Sequence, residues 1–465
     1  MKPKNIFLLC LLMLLTPVVS CKDPVDSDIN GYEKPDIPPL VQDTTNYSTS
    51  ENPFICGTEG YVCYRIPTLA ISKQGTLLAF IEGRRNSCED QGDIDIVLKR
   101  SADGGKTWSR NITIIDDGIN RCQNQCPVIL PSGRILLVYC WNPGATGARS
   151  VFVTYSDDDG LTWSKGKNIT STVKPAGWGW YATGPVHGII KEQAPNKGRI
   201  IIPANHGLGS NGYSHVIYSD DNGENWSLGG IVPYEKGNES TVAELSNGDL
   251  MLNMRNSDTN SNHYRVVSIS KDGGKTFPEY NFDYGLIEPG AGCQGALLRH
   301  SINATTGKAN IIFSNPNHGT SRKNGTLKLS IDDGKTWSKS FMYADNIDDN
   351  NWYTGYSDMA VMSNGDIAVL YEKGFKYSRG IWFRIVKYSE LFGTASAVKE
   401  NKEDIGYTIE GDMLKMKEPF MTNIRIFNAS GMQVASSDKD SVNIRHLETG
   451  IFLVHVGNET YKLIR

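Results

Sequence analysis

Ser101-Ala-Asp103-Gly-Gly105-Lys-Thr107-Trp108 returns as Ser156-Asp-Asp158-Asp-Gly160-Leu-Thr162-Trp163, and then three times more. The later copies are Ser219-Asp-Asp221-Asn-Gly223-Glu-Asn225-Trp226, Ser270-Lys-Asp272-Gly-Gly274-Lys-Thr276-Phe277 and Ser330-Ile-Asp332-Asp-Gly334-Lys-Thr336-Trp337. The shared pattern is S-x-D-x-G-x-T-W, with starts 55, 63, 51 and 60 residues apart. Its physics is that of a tight turn. The Asp side chain accepts from local amides, the Gly takes a positive φ, and the aromatic packs beneath.

A β-rich run precedes most copies: Asp95–Lys99, Val151–Tyr155, His215–Tyr218, Arg265–Ile269 and Thr326–Leu329. Other runs fill the gaps, such as Thr76–Ile81, Arg134–Cys140, Arg199–Pro203, Asp249–Met254 and Asp366–Tyr371. Each period thus holds about four short strands, the content of one propeller blade. Residues 61–390 have room for roughly six such units. The expected fold is all-β: a six-bladed β-propeller over 55–395 with a small C-terminal β-domain. The sixth blade is expected to close with strands near Ile381–Tyr388 and the N-terminal segment near Tyr61–Ile71.

The 465 residues carry 47 Lys and Arg against 51 Asp and Glu, a formal net charge of −4. That excludes a global basic footprint for nucleic acid. Hydrophobic residues make up 39%, enough for a large core, so whole-chain disorder is excluded as well.

Residues 1–20 start basic (Lys2, Lys4) and continue with an apolar run from Ile6 to Leu15. The run is too short for a good membrane span and reads as a secretory signal. It ends Val18-Val19-Ser20-Cys21, which resembles a bacterial lipoprotein cleavage box. A lipid on Cys21 would anchor the chain at the cell envelope, in the outer membrane or facing the periplasm; ordinary cleavage nearby is the alternative. Residues 21–54 are polar with Pro35, Pro38 and Pro39, as a linker would be. Beyond Cys10 and Cys21, Cys56, Cys63, Cys88, Cys122, Cys126, Cys140 and Cys293 remain. An odd number leaves at least one unpaired within the chain, and spacing does not set the pairing. Cys122 and Cys126 lack a second ligand pair and no H-E-x-x-H occurs, so neither metal nor cofactor is expected.

The repeats resemble the Asp-box repeats of the sialidase (neuraminidase) family, over roughly residues 55–390. The box is a turn and serves non-catalytic propellers too, so function rests on other residues. Tyr64-Arg65-Ile66-Pro67 resembles the family's R-I-P signature, which implies that Arg65 is one of three arginines clamping a sialic acid carboxylate. Arg255, in Leu252-Asn253-Met254-Arg255-Asn256, and Arg322, in Ser321-Arg322-Lys323, match the other two. A guanidinium stays charged and offers a carboxylate a planar fork. Asn351-Trp-Tyr-Thr-Gly-Tyr356-Ser357-Asp358-Met359 resembles the family's Y-S-D-L motif, so Tyr356 matches the nucleophile. Tyr353 is a rival by type without the following Ser-Asp. Glu239, 16 residues before Arg255, matches the general base. Glu244, at an odd offset, would face the other way on a continuous strand.

The chemistry is specific to the substrate. The anomeric carbon of sialic acid bears a carboxylate, which repels a second one. A neutral tyrosine avoids this if a Glu takes its proton, and nearby arginines would favour the phenolate. Tyr nucleophiles of sialidases are a known exception to the two-carboxylate rule. For the acid/base the resemblance points to Asp90, six residues after Arg84, with Glu89 and Asp93 as rivals; Arg84 would face the same pocket. Glu372 resembles the acidic residue that orients the first arginine. Trp178, Trp180 and Tyr181 would either shape the acetamido or glycerol pocket or simply pack.

Residues 400–465 alternate like strands of a small sandwich in Asn423–Met432 and Arg445–Val456. They resemble the C-terminal sorting domains of secreted Bacteroidetes proteins. The resemblance as a whole implies an exo-α-sialidase acting with retention on sialylated glycans, glycoproteins or glycolipids. A trans-sialidase, including an intramolecular one, would use the same residues. A non-catalytic sialoglycan-binding propeller would keep the arginines without needing Tyr356, Glu239 and Asp90 together.

Overall fold

The computed structural model describes residues 46–49, 51–144, 147–258, 262–290, 292–344, 352–375, 380–392, 407–417, 423–428, 433–447, 449–456 and 459–464. The signal segment, Cys21 and the linker up to residue 45 lie outside the described residues. Antiparallel sheets succeed one another along the chain, the first two joined by a parallel bridge between Ile94 and Arg121. Each begins with an inner strand: β1 (Cys63–Ile71), β2 (Arg121–Ile129), β3 (Tyr181–Thr183), β4 (Gly237–Glu244), β5 (Ala296–Ile302) and β6 (Trp352–Val361). Most positions of β1, β2 and β4 are buried. Such strands read as nearly unbroken runs because both faces are covered.

The inner strands meet in a closed ring. β1 touches β2 and β6, and β2 touches β3. The neighbour of β3, Ile200–Leu208, packs on β4; β4 packs on β5, and β5 on β6. Apolar clusters fill the gaps between adjacent sheets. Leu98 shares one with Leu137, Val138 with Ile202, Val216 with Leu252, Met251 with Ile311, Leu327 with Val369, and Val97 with Leu370. Burying one such side chain is worth about 1.5–3 kcal/mol, so the wedges between sheets are the main stabilising term.

Each S-x-D-x-G turn caps the third strand of its sheet and leads the chain onward. In the first, Asp103 Oδ1 accepts from the Ser101 hydroxyl at 2.8 Å and the Thr107 amide at 3.0 Å, while Gly105 N–H donates to Ser101 Oγ at 2.8 Å. The turn glycines press on the sheet before. A Cβ would strike Phe383 at Gly105, Leu98 at Gly160, Leu136 at Gly223 and Met251 at Gly334. Gly105 also has φ +87°, so no other residue fits there without strain.

Two expectations are corrected. The segment Tyr61–Ile71 does not complete the last sheet, because β1 is the inner strand of the first. Instead Phe54 bridges Ile381 on the outer edge of the last sheet, with Ile381 N–H donating to Phe54 O and Phe383 N–H to Glu51 O, each at 2.9 Å. The linker expected over 21–54 is therefore built into the fold at its end. Asn46–Thr49 likewise pairs with Thr107–Ser109. The cause is the bare edge of Ile381–Val386, which needs backbone partners.

Beyond the helix Tyr388–Phe392, Tyr407–Glu410, Met413–Met416 and Ser441–Asn443 form one small sheet. Gln433–Ser437, Ile424–Asn428, Ile451–Val456 and Glu459–Ile464 form another. Leu414, Ile426, Val442, Val454 and Leu463 share its own apolar core. Among the described residues no helix is long and apolar enough to cross a membrane.

Candidate active site

The inner strands break register at one end of the ring. β1 slips between Arg65 and Thr68, β2 between Gln123 and Cys126, β4 between Gly237 and Ser240, and β6 between Thr354 and Ser357. A bulge inserts a residue and re-aims a side chain. Arg65, Glu239 and Tyr356 all stand at these breaks. Glu244, past the break on β4, is buried elsewhere with Lys191 at 2.7 Å and Arg299 at 3.2 Å. Ile66 has φ +62°, a strained conformation for a β-branched residue that costs about 1–3 kcal/mol. Its amide donates to Glu372 at 3.0 Å and its carbonyl accepts from Gln125 at 2.5 Å, which hold it there.

Tyr356 is buried, and its hydroxyl donates to Glu239 Oε1. Arg255 Nη1 donates to Glu239 Oε2 at 2.8 Å and reaches the Tyr356 oxygen at 3.3 Å. The guanidinium carbons of Arg65 and Arg322 each lie 5.5 Å from the Tyr356 ring centre. So the three arginines, far apart in sequence, surround one phenol. Burial, then the charge of Glu239, push the Tyr356 pKa well above its ordinary value. Arg255 and Arg322 pull it down without outweighing them. The arginines thus favour the phenolate as expected, but burial and Glu239 outweigh them and keep the resting phenol neutral.

Glu372 is buried beneath Arg65. It accepts from Arg65 Nε at 3.2 Å and Nη2 at 3.4 Å, from Tyr356 N–H at 3.2 Å and from the Tyr353 hydroxyl at 3.1 Å. Burial raises its pKa, but Arg65 and the backbone amides outweigh that and hold it below the usual range. Asp90 is 69% exposed and pairs with Arg84 Nη1 at 2.8 Å and Arg65 Nη1 at 3.5 Å. Partial burial raises its pKa, yet Arg84 and then Arg65 bring it below the ordinary value. Of its rivals, Glu89 is exposed and Asp93 faces Arg85 at 3.5 Å. Arg84 itself is buried, with Glu82 Oε2 at 2.7 Å.

Arg322 differs from its companions. Its Nη2 and Nε donate to Gly292 O at 2.8 and 3.1 Å, and its Nη1 to the Tyr353 hydroxyl at 2.9 Å. Among the described residues no carboxylate pairs with it. A largely buried cation without a counter-charge calls for an anion.

A family model described as BNR repeat-like domain matches residues 75–369. A sialidase of Paraclostridium sordellii is 31% identical over 407 residues, covering 81% of this chain and 93% of that protein. This chain belongs to the sialidase family. A sialidase of Bacteroides fragilis (strain YCH46) is 33% identical over 368 residues, covering 72% of this chain. The chain spans 64% of that relative's length. The solved Hadza microbial sialidase Hz136 aligns with a TM-score of 0.63 at 27% identity, covering 73% of this chain and 68% of that one.

Several residues of this sialidase-family site carry no motif that sequence reasoning could use. Tyr353, set aside as a nucleophile, links Arg322 to Glu372 through its hydroxyl. Glu82 anchors Arg84 and accepts from Asn124 N–H at 3.0 Å. Arg149 is buried; it donates to Gln123 Oε1 at 2.7 Å and lies 3.7 Å from the Trp180 ring centre. Trp180 is half exposed, whereas Trp178 stacks on His206 and Tyr181 bonds the ring of buried His215 at 3.1 Å. Of the three aromatics, then, Trp178 and Tyr181 pack. Cys293 lies under Ile66 and Tyr356, and burial pushes its thiol up to about 11. Among the described residues no group of three or more His, Cys, Asp or Glu is placed to hold a metal ion.

Proposed function

We propose that this chain is an exo-α-sialidase built on a six-bladed β-propeller, hydrolysing terminal sialic acid from glycoconjugates with retention. The observation that carries the reading is the Tyr356 hydroxyl donating to Glu239 inside a ring of Arg65, Arg255 and Arg322. The three arginines bind the substrate carboxylate, with Arg322 bringing the unmatched charge. Tyr356 Oη attacks the anomeric carbon while its proton passes to Glu239. A neutral resting phenol fits this sequence, since the proton leaves only as the bond forms.

Asp90 supplies a proton to the departing oxygen, then takes one from the water that releases the tyrosyl-linked sugar. Ionised in the empty site, Asp90 must first gain a proton. The incoming carboxylate competes for Arg65 and the sugar excludes water. Both changes raise the Asp90 pKa toward that of a working acid. Glu372 and Tyr353 hold Arg65 and Arg322 in place, and Arg84 holds Asp90. The lipoprotein-like box further supports a cell-envelope location through Cys21.

The test is trapping with a fluorinated sialic acid followed by peptide mapping. The label is expected on Tyr356, and a label elsewhere overturns the assignment. Tyr356→Phe should lose about 10²–10⁴-fold in kcat while still binding sialic acid.

A further inference from the structure

Cys63 and Cys88 form a disulfide across 25 residues. Cys63 stands two residues before Arg65 on β1, and Cys88 two residues before Asp90 on the loop between Leu77–Arg84 and Ile94–Ser101. The bond therefore ties the strand that carries the carboxylate-binding arginine to the loop that carries the acid/base. We propose that this disulfide is a positioning device for Asp90; the inference rests on the acid/base reading above.

Apart from the disulfide, the described contacts that hold the loop are polar. Asn86, Ser87, Glu89, Gln91 and Gly92 bring no apolar side chain to bury, and Asn86, Glu89 and Gln91 are exposed. Its neck closes with one backbone bond, Arg85 N–H to Asp93 O at 3.1 Å. Arg84 donates to Cys88 O at 2.6 Å, and Arg121 and Gln123 reach the Asp90 carbonyl at 3.2 and 3.3 Å. Among the described residues the Asp90 carboxylate is held by its pairs with Arg84 and Arg65, and its own exposed side leaves that geometry weakly fixed.

One of those pairs is also lost during turnover. Arg65 must hold the substrate carboxylate, so its grip on Asp90 weakens when the acid is needed. A covalent tie does not compete with the substrate. The buried Cys63 end is fixed in β1, and the half-buried Cys88 end restrains the loop at its middle. A general acid displaced by about 1 Å can lose 10²-fold in rate, so small freedom here matters.

The experiment measures kcat/KM on 3′-sialyllactose and on a fluorogenic aryl sialoside, whose leaving group needs little protonation. The enzymes are wild type, wild type with the disulfide reduced under native conditions, Cys88→Ser, Asp90→Asn and Cys88→Ser/Asp90→Asn. Cys88→Ser and the reduced enzyme should lose about 10-fold on the lactoside and about 2-fold or less on the aryl substrate. In the double variant the loss of Cys88 should add nothing to the selectivity change, because the disulfide acts through Asp90. Equal losses on both substrates, or none, would overturn the positioning role while Asp90→Asn still discriminates. If Asp90→Asn itself does not discriminate, the acid/base reading falls first. Should Cys88→Ser fail to fold, the reduced wild type gives the same comparison.

Discussion

Glu372→Gln keeps the shape of a buried carboxylate and removes its charge. Oε1 accepts from Arg65 Nε and Ile66 N–H, and Oε2 from Arg65 Nη2, Tyr356 N–H and the Tyr353 hydroxyl. Either orientation of the amide thus sets an NH₂ against at least two donors. Leaving two buried donors unmet and Arg65 without its main counter-charge should cost about 4 kcal/mol. Over 465 residues, at about 2.1 cal/mol/K of unfolding entropy each, that lowers Tm by about 4 °C.

The pH dependence separates charge from packing. Folded Glu372 has a depressed pKa, so its stabilisation is present above the unfolded carboxyl value of about 4.3 and fades as pH falls through the lower folded value. The Tm gap between wild type and variant should be widest near pH 7 and should narrow below about pH 4. Scanning calorimetry from neutral to acid pH reads it. A gap under about 2 °C at pH 7, or one that stays constant into acid, would refute the assignment of this stability to an ionised carboxylate.

The same geometry sets other outcomes. Arg322→Lys should weaken sialic acid binding by about 10-fold or more, read by calorimetric titration, because a point charge replaces the planar fork. Tyr353→Phe removes the link between Arg322 and Glu372, so KM should rise more than kcat falls; steady-state kinetics with unchanged KM would contradict that. Cys21 should carry lipid, and mass spectrometry of the membrane fraction finding an N-terminus downstream of Cys21 would refute it.

The strand pattern was readable because five turns repeat one local solution to one local problem, and local chemistry is what a sequence displays. The arginines and Tyr356 were readable for another reason: each sits in a short motif. Glu82, Arg149 and Tyr353 act through partners that no spacing announces, such as Asn124, Gln123 and Arg322. The Cys63–Cys88 pairing was hidden likewise, because it depends on how the Asp90 loop folds back over β1. Phe54, not Tyr61–Ile71, takes the edge of the last sheet because an edge strand's partner is chosen by ring closure, not by its own apolar pattern. The net rise of the Tyr356 pKa was hidden because burial, which outweighs the arginines, cannot be counted from neighbours in the chain.

The latch formed by Glu51 and Phe54 on Ile381 and Phe383 has a consequence for biogenesis. At about 5–20 residues per second, a ribosome needs roughly 20–70 s to pass from the first half of the latch to the second. Arg65 and Glu372 wait as long for each other, being 307 positions apart. Until then the early sheets have an open seam whose apolar wedge, Leu69 and Val97 among it, lacks Leu370 and Phe383. A product that ends before Glu372 cannot assemble the pocket, because Arg65 then has no Glu372 beneath it. It yields instead a sticky, unfinished ring for chaperones and proteases to recognise.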